Sequence, residues 1–188
     1  MGIIISSFPG CGKSYLINTY ANKAKMLDMS EPDGVDGEPF DYDGFVDEVM
    51  DVINDYDIIF IPVGGTFINK FIERNIDFDL FYPSKERRGE FIENSVRKRR
   101  PSTQIMMMDR NFTKMVEMID EIESDNCYKH KLINQGQFIG NDPAVMQYVN
   151  NISNRIKEIK NEKPEETVEE PSRGKDNDEG DTTGNEGA

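Results

Sequence analysis

Eight consecutive residues, Ser7-Phe8-Pro9-Gly10-Cys11-Gly12-Lys13-Ser14, bring together residue types that hold phosphate. Gly10 and Gly12 open backbone angles closed to other residues and let the chain approach an anion closely. Successive N–H groups in such a turn point inward as an anion nest. A helix starting at its end adds the positive end of its dipole. Lys13 then reaches the β- and γ-phosphates of a nucleoside triphosphate, and the Ser14 hydroxyl ligates Mg²⁺. Pro9, Gly10, Cys11, Gly12 and Tyr15 supply the backbone around them, with Cys11 as a small loop residue. The pattern G-x-x-x-x-G-K-[S/T] asks for Gly where this chain has Ser7, a small residue able to begin the loop. The competing reading is a glycine-rich turn with a chance Gly-Lys-Ser. An Ile-rich segment before the turn and a helical pattern after it favour phosphate binding. The chain shows no base-recognition motif of the Asn/Thr-Lys-x-Asp type, so a GTPase-type specificity is not expected.

Phosphoryl transfer also needs an acid near the γ-phosphate. Asp28 and Glu31 follow the next short apolar segment. An acid there can orient an acceptor hydroxyl or take its proton. Asp28 follows Met26-Leu27 directly and is the expected catalytic carboxylate and second Mg²⁺ ligand beside Ser14, against the plainer reading of a solvated loop acid. A metal-holding acid at the end of the third strand is missing. Ile58 to Ile61 run into Pro62-Val63-Gly64-Gly65, and Asp57 lies at the wrong end.

Lys85 to Arg100 is a basic stretch in an otherwise acidic chain. Cations there suit a closing segment that neutralises transferring oxygens and excludes water. Arginine's planar fork is the better tool. Arg87, Arg88 and Arg97 are the expected catalytic arginines. The alternatives are a solvated face paired with Glu86, Glu90 and Glu93, or a patch for nucleic acid. Met106-Met107-Met108 is expected to pack in the core. His130 is given no role.

The elements that would position these groups alternate. Gly2 to Ser7 reads as a buried strand, Ser14 to Lys25 as a helix and Lys25 to Met29 as a short strand. Ser30 to Tyr42, rich in Gly and Pro, is a loop. Asp43 to Asp55 is an amphipathic helix and Asp57 to Val63 a second strong strand. Thr66 to Arg74 is helical, and Phe78 to Tyr82 is a strand closed by Pro83. Lys85 to Arg100 and Asn111 to Ser124 are helical, Lys131 to Ile133 is a weak last strand, and Pro143 to Lys160 is a final helix. Such alternation implies an α/β fold, a parallel sheet covered on both faces.

The 188 residues fit one domain with a short appendage. The net charge of -14 argues against nonspecific binding of nucleic acid or anionic membrane by the whole surface. Mean hydropathy is -0.66. Residues 162–188 hold ten acidic and three basic groups and no large apolar one beyond Val168. They cannot bury enough surface to offset an ordering entropy of ~1–2 kcal/mol per residue. The expected division is a domain over 1–160, its closing segment near 84–103, and a disordered acidic tail over 161–188. Cys11 and Cys127 show no zinc spacing with His130, and both are read as reduced thiols. Ile3-Ile4-Ile5 is too short for a signal or a membrane span. The expected location is the cytoplasm, a host's cytoplasm for a phage protein, with no membrane partner.

On these residues the chain resembles small P-loop kinases of phage type, described as adenylate-kinase-like or nucleoside-kinase-like. The likeness rests on Ile3 to Ser14 and on Asp57-Ile58-Ile59-Phe60-Ile61-Pro62-Val63. It continues through Phe71-Ile72-Glu73-Arg74-Asn75-Ile76, Leu80-Phe81-Tyr82-Pro83 and Gly136-Gln137-Phe138-Ile139. It covers roughly residues 2–140. The resemblance implies a three-layer sandwich with a five-stranded parallel sheet in the order 2-3-1-4-5 and a small helical lid. It implies ATP and Mg²⁺ as cofactors and an Asp-bearing end to the second strand. Here only Asp28 matches, in the thinner sequence Asp28-Met29-Ser30. The expected function is an ATP-dependent phosphotransferase whose acceptor is a nucleoside or nucleoside monophosphate. The alternatives are an ATP-binding interaction module without catalysis, or a kinase acting on nucleic-acid ends or modified bases. The acidic charge disfavours nucleic acid.

Overall fold

The computed structural model describes residues 2–30, 32 and 39–162. Glu31 and the acidic segment beyond residue 162 lie outside these, as does most of the expected loop after Ser30. The strands are β1 (Ile3–Ser7), β2 (Met26–Asp28), β3 (Ile58–Ile61), β4 (Phe78–Pro83) and β5 (Cys127–Leu132). The helices are α1 (Lys13–Tyr20), α2 (Tyr42–Val52), α3 (Gly65–Glu73), α4 (Arg88–Arg97), α5 (Ser102–Asp120) and α6 (Pro143–Glu162). Short 3-10 turns occupy Lys85–Arg87 and Ile139–Asn141.

The five strands form one parallel sheet in the order β2-β3-β1-β4-β5, the order implied by the resemblance. β1 lies at its centre, with Ile5 opposite Phe60 of β3 and Asp79 of β4. Every residue of β3 is buried, and so are the last four of β1. Successive side chains point to opposite faces, so both faces of the sheet are covered. That is why these strands read as unbroken apolar runs rather than alternating ones.

The connection from β1 to β2 runs across the sheet opposite to all later ones. Right-handed crossovers therefore place α1 on one face and α2, α3 and the α4–α5 pair on the other. The contacts agree: α2 packs on α3, α4 on α5, and α1 and α6 both meet the 3-10 turn at Ile139–Asn141. The reversal opens a crevice at the C-terminal ends of the central strands, where α/β sheets bind ligands.

Three boundaries differ from the sequence reading. α1 ends at Tyr20, because Lys23 and Ala24 N–H both turn back to Tyr20 O. β5 begins at Cys127 and pairs along the whole of β4, from Phe78↔Cys127 to Pro83↔Leu132. Its inner part Lys129-His130-Lys131 is polar because it is an edge strand, which conceals it from an apolar-run criterion. α5 begins at Ser102, directly after Pro101, and so takes in the methionine run. Met106 and Met107 are exposed rather than packed in the core, while Met108 is partly buried against it.

Beneath the crevice, Phe8 packs edge-on against Phe112 and Phe91 at ring separations of 5.0 and 6.0 Å. All three rings are fully buried. Each contributes about 1.5–3 kcal/mol through removal from water, and together they fasten the end of β1 to α4 and α5.

Candidate functional site

β1 ends in the stretch read as phosphate-binding, and the chain turns there before entering α1. Phe8 N–H donates to Phe81 O at 2.8 Å, which ties the turn to β4. Cys11 N–H donates back to Phe8 O at 3.1 Å, and Cys11 O accepts from Ile139 N–H at 2.9 Å. Gly10 and Gly12 have φ of 96° and 97°. That left-handed region is open to glycine and costly to most other residues. Space adds a second constraint. A Cβ on Gly10 would stand 3.1 Å from the Phe91 ring, and one on Gly12 3.0 Å from Phe138 Cβ. Two aromatic side chains thus press on the outer side of the turn.

Gly12 is the residue before α1, and no side chain caps that helix. The N–H groups of its first turn have no intrahelical acceptors. They carry the positive end of the helix dipole. Lys13 stands in this turn and Ser14 follows, exposed. Lys13 Nζ reaches Asp28 Oδ1 at 2.9 Å and also contacts Ser30 Oγ. Ser30 donates to the same Asp28 oxygen from its hydroxyl at 2.7 Å and from its N–H at 3.1 Å. Burial alone would raise the Asp28 pKa. The hydrogen bonds from Lys13 and Ser30, with the Lys13 charge, outweigh it and hold the carboxyl below its ordinary range.

These groups share one cavity of about 910 Å³. Pro9, Gly10, Gly12, Lys13 and Ser14 form one wall, and Asp28 and Ser30 stand at the end of β2. The residues just after β3, Pro62 and Val63, line the cavity as well and include no acid. The far wall is a single stripe of α5, with Gln104, Met108, Asn111 and Met115 spaced at helical intervals. Lys98 and Arg100, between α4 and α5, complete it. Among the described residues, the Gln104 and Asn111 side chains have no hydrogen-bond partner within the protein.

Two residues of the expected nucleotide loop stand apart from the cavity. Cys11 is buried beneath it, its thiol 3.8 Å from Phe81 O. Burial pushes that thiol far above the ordinary range, although the Arg87 charge and the Phe8 backbone oppose it, so it stays protonated and inert. Tyr15 is exposed, its ring against Gly140.

The three expected arginines do not line the cavity. Arg87 is buried and forms a two-pronged pair with Glu90, with Nε–Oε2 and Nη2–Oε1 both 2.8 Å. It also donates to Gln137 O at 2.8 Å and Leu132 O at 3.3 Å. Its guanidinium lies against the Phe91 and Phe138 rings, 5.1 and 5.5 Å from their centroids. These are the two rings that back Gly10 and Gly12. Arg87 therefore braces the turn from behind, without access to a ligand in the cavity. Arg88 pairs with Asp109 at 2.8 Å, and Arg97 pairs with Glu93 at 3.6 Å on an exposed face. The cations at the cavity are instead Lys98 and Arg100, which composition alone could not separate from their neighbours. The Arg87–Glu90 spacing of three residues was the available signal that Arg87 was already paired.

His130 contacts the Asp79 carboxylate at 2.5 Å and stacks on Phe81 at 4.3 Å, away from the cavity. Among the described residues no group of three or more His, Cys, Asp or Glu side chains is placed to hold a metal ion. No helix among them is long and apolar enough to cross a membrane. No protein-family model matches the sequence, and no characterised protein matches it either.

Proposed function

We propose that the turn between β1 and α1 is a P-loop and that the protein is an ATP-dependent phosphotransferase acting on a nucleoside or nucleoside monophosphate. The observation carrying this reading is the placement of Lys13. Its ammonium stands at the uncapped start of α1, within 2.9 Å of Asp28, on the wall of a cavity that the end of β2, the residues after β3 and α5 also line. A triphosphate suits the first-turn N–H groups and Lys13. Mg²⁺ needs few protein ligands when phosphates supply the rest. The Ser14 hydroxyl and Asp28 are the groups here that would hold it. The metal would supply charge neutralisation on the transferring oxygens.

The cavity's size lies near the top of the ~300–1,000 Å³ usual for ligand sites, which leaves room for a second molecule beside the donor. Met108, Met115, Pro62 and Val63 offer apolar contact to a planar base. Gln104 and Asn111 offer both donors and acceptors for its edge. Asp28, held ionised, orients the acceptor oxygen. When that oxygen is a hydroxyl, it bonds to the γ-phosphorus as the bond to the departing diphosphate breaks, and its proton passes to the carboxylate.

The absence of an acid on Pro62-Val63 supports a second reading, a module that binds ATP without catalysis. One assay separates the two. The full chain is incubated with γ-labelled ATP, Mg²⁺ and a pool of nucleosides and nucleoside monophosphates, with Lys13→Ala beside it. Label in an acceptor, absent from the variant, supports the kinase. Tight ATP binding with no labelled acceptor and no hydrolysis above the variant's level supports the module.

A further inference from the structure

We propose that Lys98 and Arg100 seat a phosphate group carried by the acceptor, so that the second substrate is a phosphorylated nucleotide and not a free nucleoside. This rests on the kinase reading above and narrows its substrate.

Charge pairing supports this assignment. The basic residues leading up to this point are engaged: Lys85 with Glu117, Arg87 with Glu90, Arg88 with Asp109 and Arg97 with Glu93. The next three residues, Lys98, Arg99 and Arg100, have no acidic partner among the described residues. Two of the three unpaired cations line the cavity, and the same cavity is lined by Lys13 and Asp28. Cations left free at the wall of a cavity are matched by an anion brought in from outside.

Backbone geometry at the end of α4 supports the same assignment. α4 closes with Arg99 N–H to Val96 O at 2.9 Å and Arg100 N–H to Ser95 O at 3.2 Å. This is the helix-ending turn that places its next residue in the left-handed region, a position usually held by glycine. Here that residue is Arg99, with φ of 52°. The turn closing α3 has Asn75 at φ 52°, a residue that tolerates the conformation. A side chain held in a costly backbone conformation points to use of that side chain. The turn also sets Lys98 and Arg100 on the cavity, with Arg99 between them.

The phosphate has two possible sources, a mononucleotide or the end of an oligonucleotide whose next phosphate meets Arg99. Calorimetric titration of the full chain distinguishes them. The probes are ATP with Mg²⁺, a deoxynucleoside 5′-monophosphate pool, the matching deoxynucleosides, and 5′-phosphorylated hexathymidylate. The variants are Lys98→Gln/Arg100→Gln and Arg99→Gln. In the double variant the monophosphates are expected to bind about 10–100-fold more weakly, the range for loss of charge-assisted hydrogen bonds. ATP affinity stays within about twofold. Tighter binding of the hexanucleotide, reduced by Arg99→Gln, identifies an oligonucleotide end, and the reverse identifies a mononucleotide. Deoxynucleosides binding as tightly as monophosphates would overturn the proposal. So would unchanged monophosphate binding in the double variant, or a loss of ATP affinity there, which would assign these cations to the donor. If wild type binds monophosphates but not ATP, the donor reading fails and the acceptor site stands.

Discussion

The Lys13 ammonium and the Asp28 carboxylate lie 2.9 Å apart, joining the first turn of α1 to the last residue of β2. The hydrogen bonds from Lys13 and Ser30, with the Lys13 charge, hold the Asp28 carboxyl below its ordinary range against desolvation. The pair also restrains Lys13, and on the proposed function an incoming phosphate would compete with Asp28 for it. Asp28→Asn removes the competitor together with the orienting charge. Transfer is expected to fall by ~10²–10⁴-fold, while affinity for ATP without Mg²⁺ is kept or improves. Steady-state kinetics beside a binding titration would show this split. A fall in affinity with kcat unchanged would place Asp28 outside the reaction.

Arg87 acts at a distance from the cavity. Its bidentate bond to Glu90 is buried, with side chains 4% and 16% exposed. Removing one member of a buried pair strands the other, so Arg87→Met is expected to cost about 3 kcal/mol in urea unfolding. The Phe91 and Phe138 rings lose their brace, and the turn at Gly10 and Gly12 loosens with them, which raises KM for ATP. The pair has a pH signature. The Arg87 hydrogen bond chiefly lowers the Glu90 pKa, against desolvation. This stabilisation is full above the ordinary value of 4.5 and is lost as pH falls through the lower folded value. The variant should lack that acid-side loss.

The central strands were legible because burial on both faces demands apolar residues at every position. Ile58-Ile59-Phe60-Ile61 allows almost no other reading. The turn between β1 and α1 was legible from its glycines, Gly10 and Gly12, both at positive φ. β5 was not, because an edge strand is specified by its ladder to β4 and its own residues Lys129-His130-Lys131 carry no apolar run. The cavity cations were hidden for a related reason. Seven basic residues between Lys85 and Arg100 look alike in sequence. Only the positions of Glu90, Glu93, Asp109 and Glu117 show which are neutralised and which lack an acidic partner among the described residues.

Arg99 carries a measurable backbone cost. A left-handed conformation costs a side-chain-bearing residue ~1–2 kcal/mol, and glycine's greater unfolded freedom returns part of that. Arg99→Gly is therefore expected to stabilise the fold by about 0.5–1 kcal/mol. Denaturant midpoints at an unchanged slope would register it. A loss of stability would mean that the side chain has a structural partner.

His130 gives the fold a neutral-pH dependence. The hydrogen bond to Asp79 raises its pKa, against partial burial, and the charges of Asp79 and Asp142 add to this. Asp142 caps α6, accepting from Ala144 N–H at 3.0 Å. Lys129 and Lys131 on the same strand bond α5 on the opposite face, at Asp120. A raised histidine pKa contributes stability that is complete below the ordinary value of 6.5 and is lost as pH rises through the folded value. Unfolding free energy should therefore decline on that upward passage in wild type. The His130→Gln variant should be flat over the same interval.

The account depends most on Lys13 meeting a triphosphate. Titration of ATP·Mg²⁺ into wild type and into Lys13→Ala tests this directly, with thermal unfolding confirming that both are folded. Saturable binding to wild type is expected, weakened about 10–100-fold in the variant, as for loss of a charge-assisted contact. Equal affinity in the two folded proteins, or none in wild type, would contradict it.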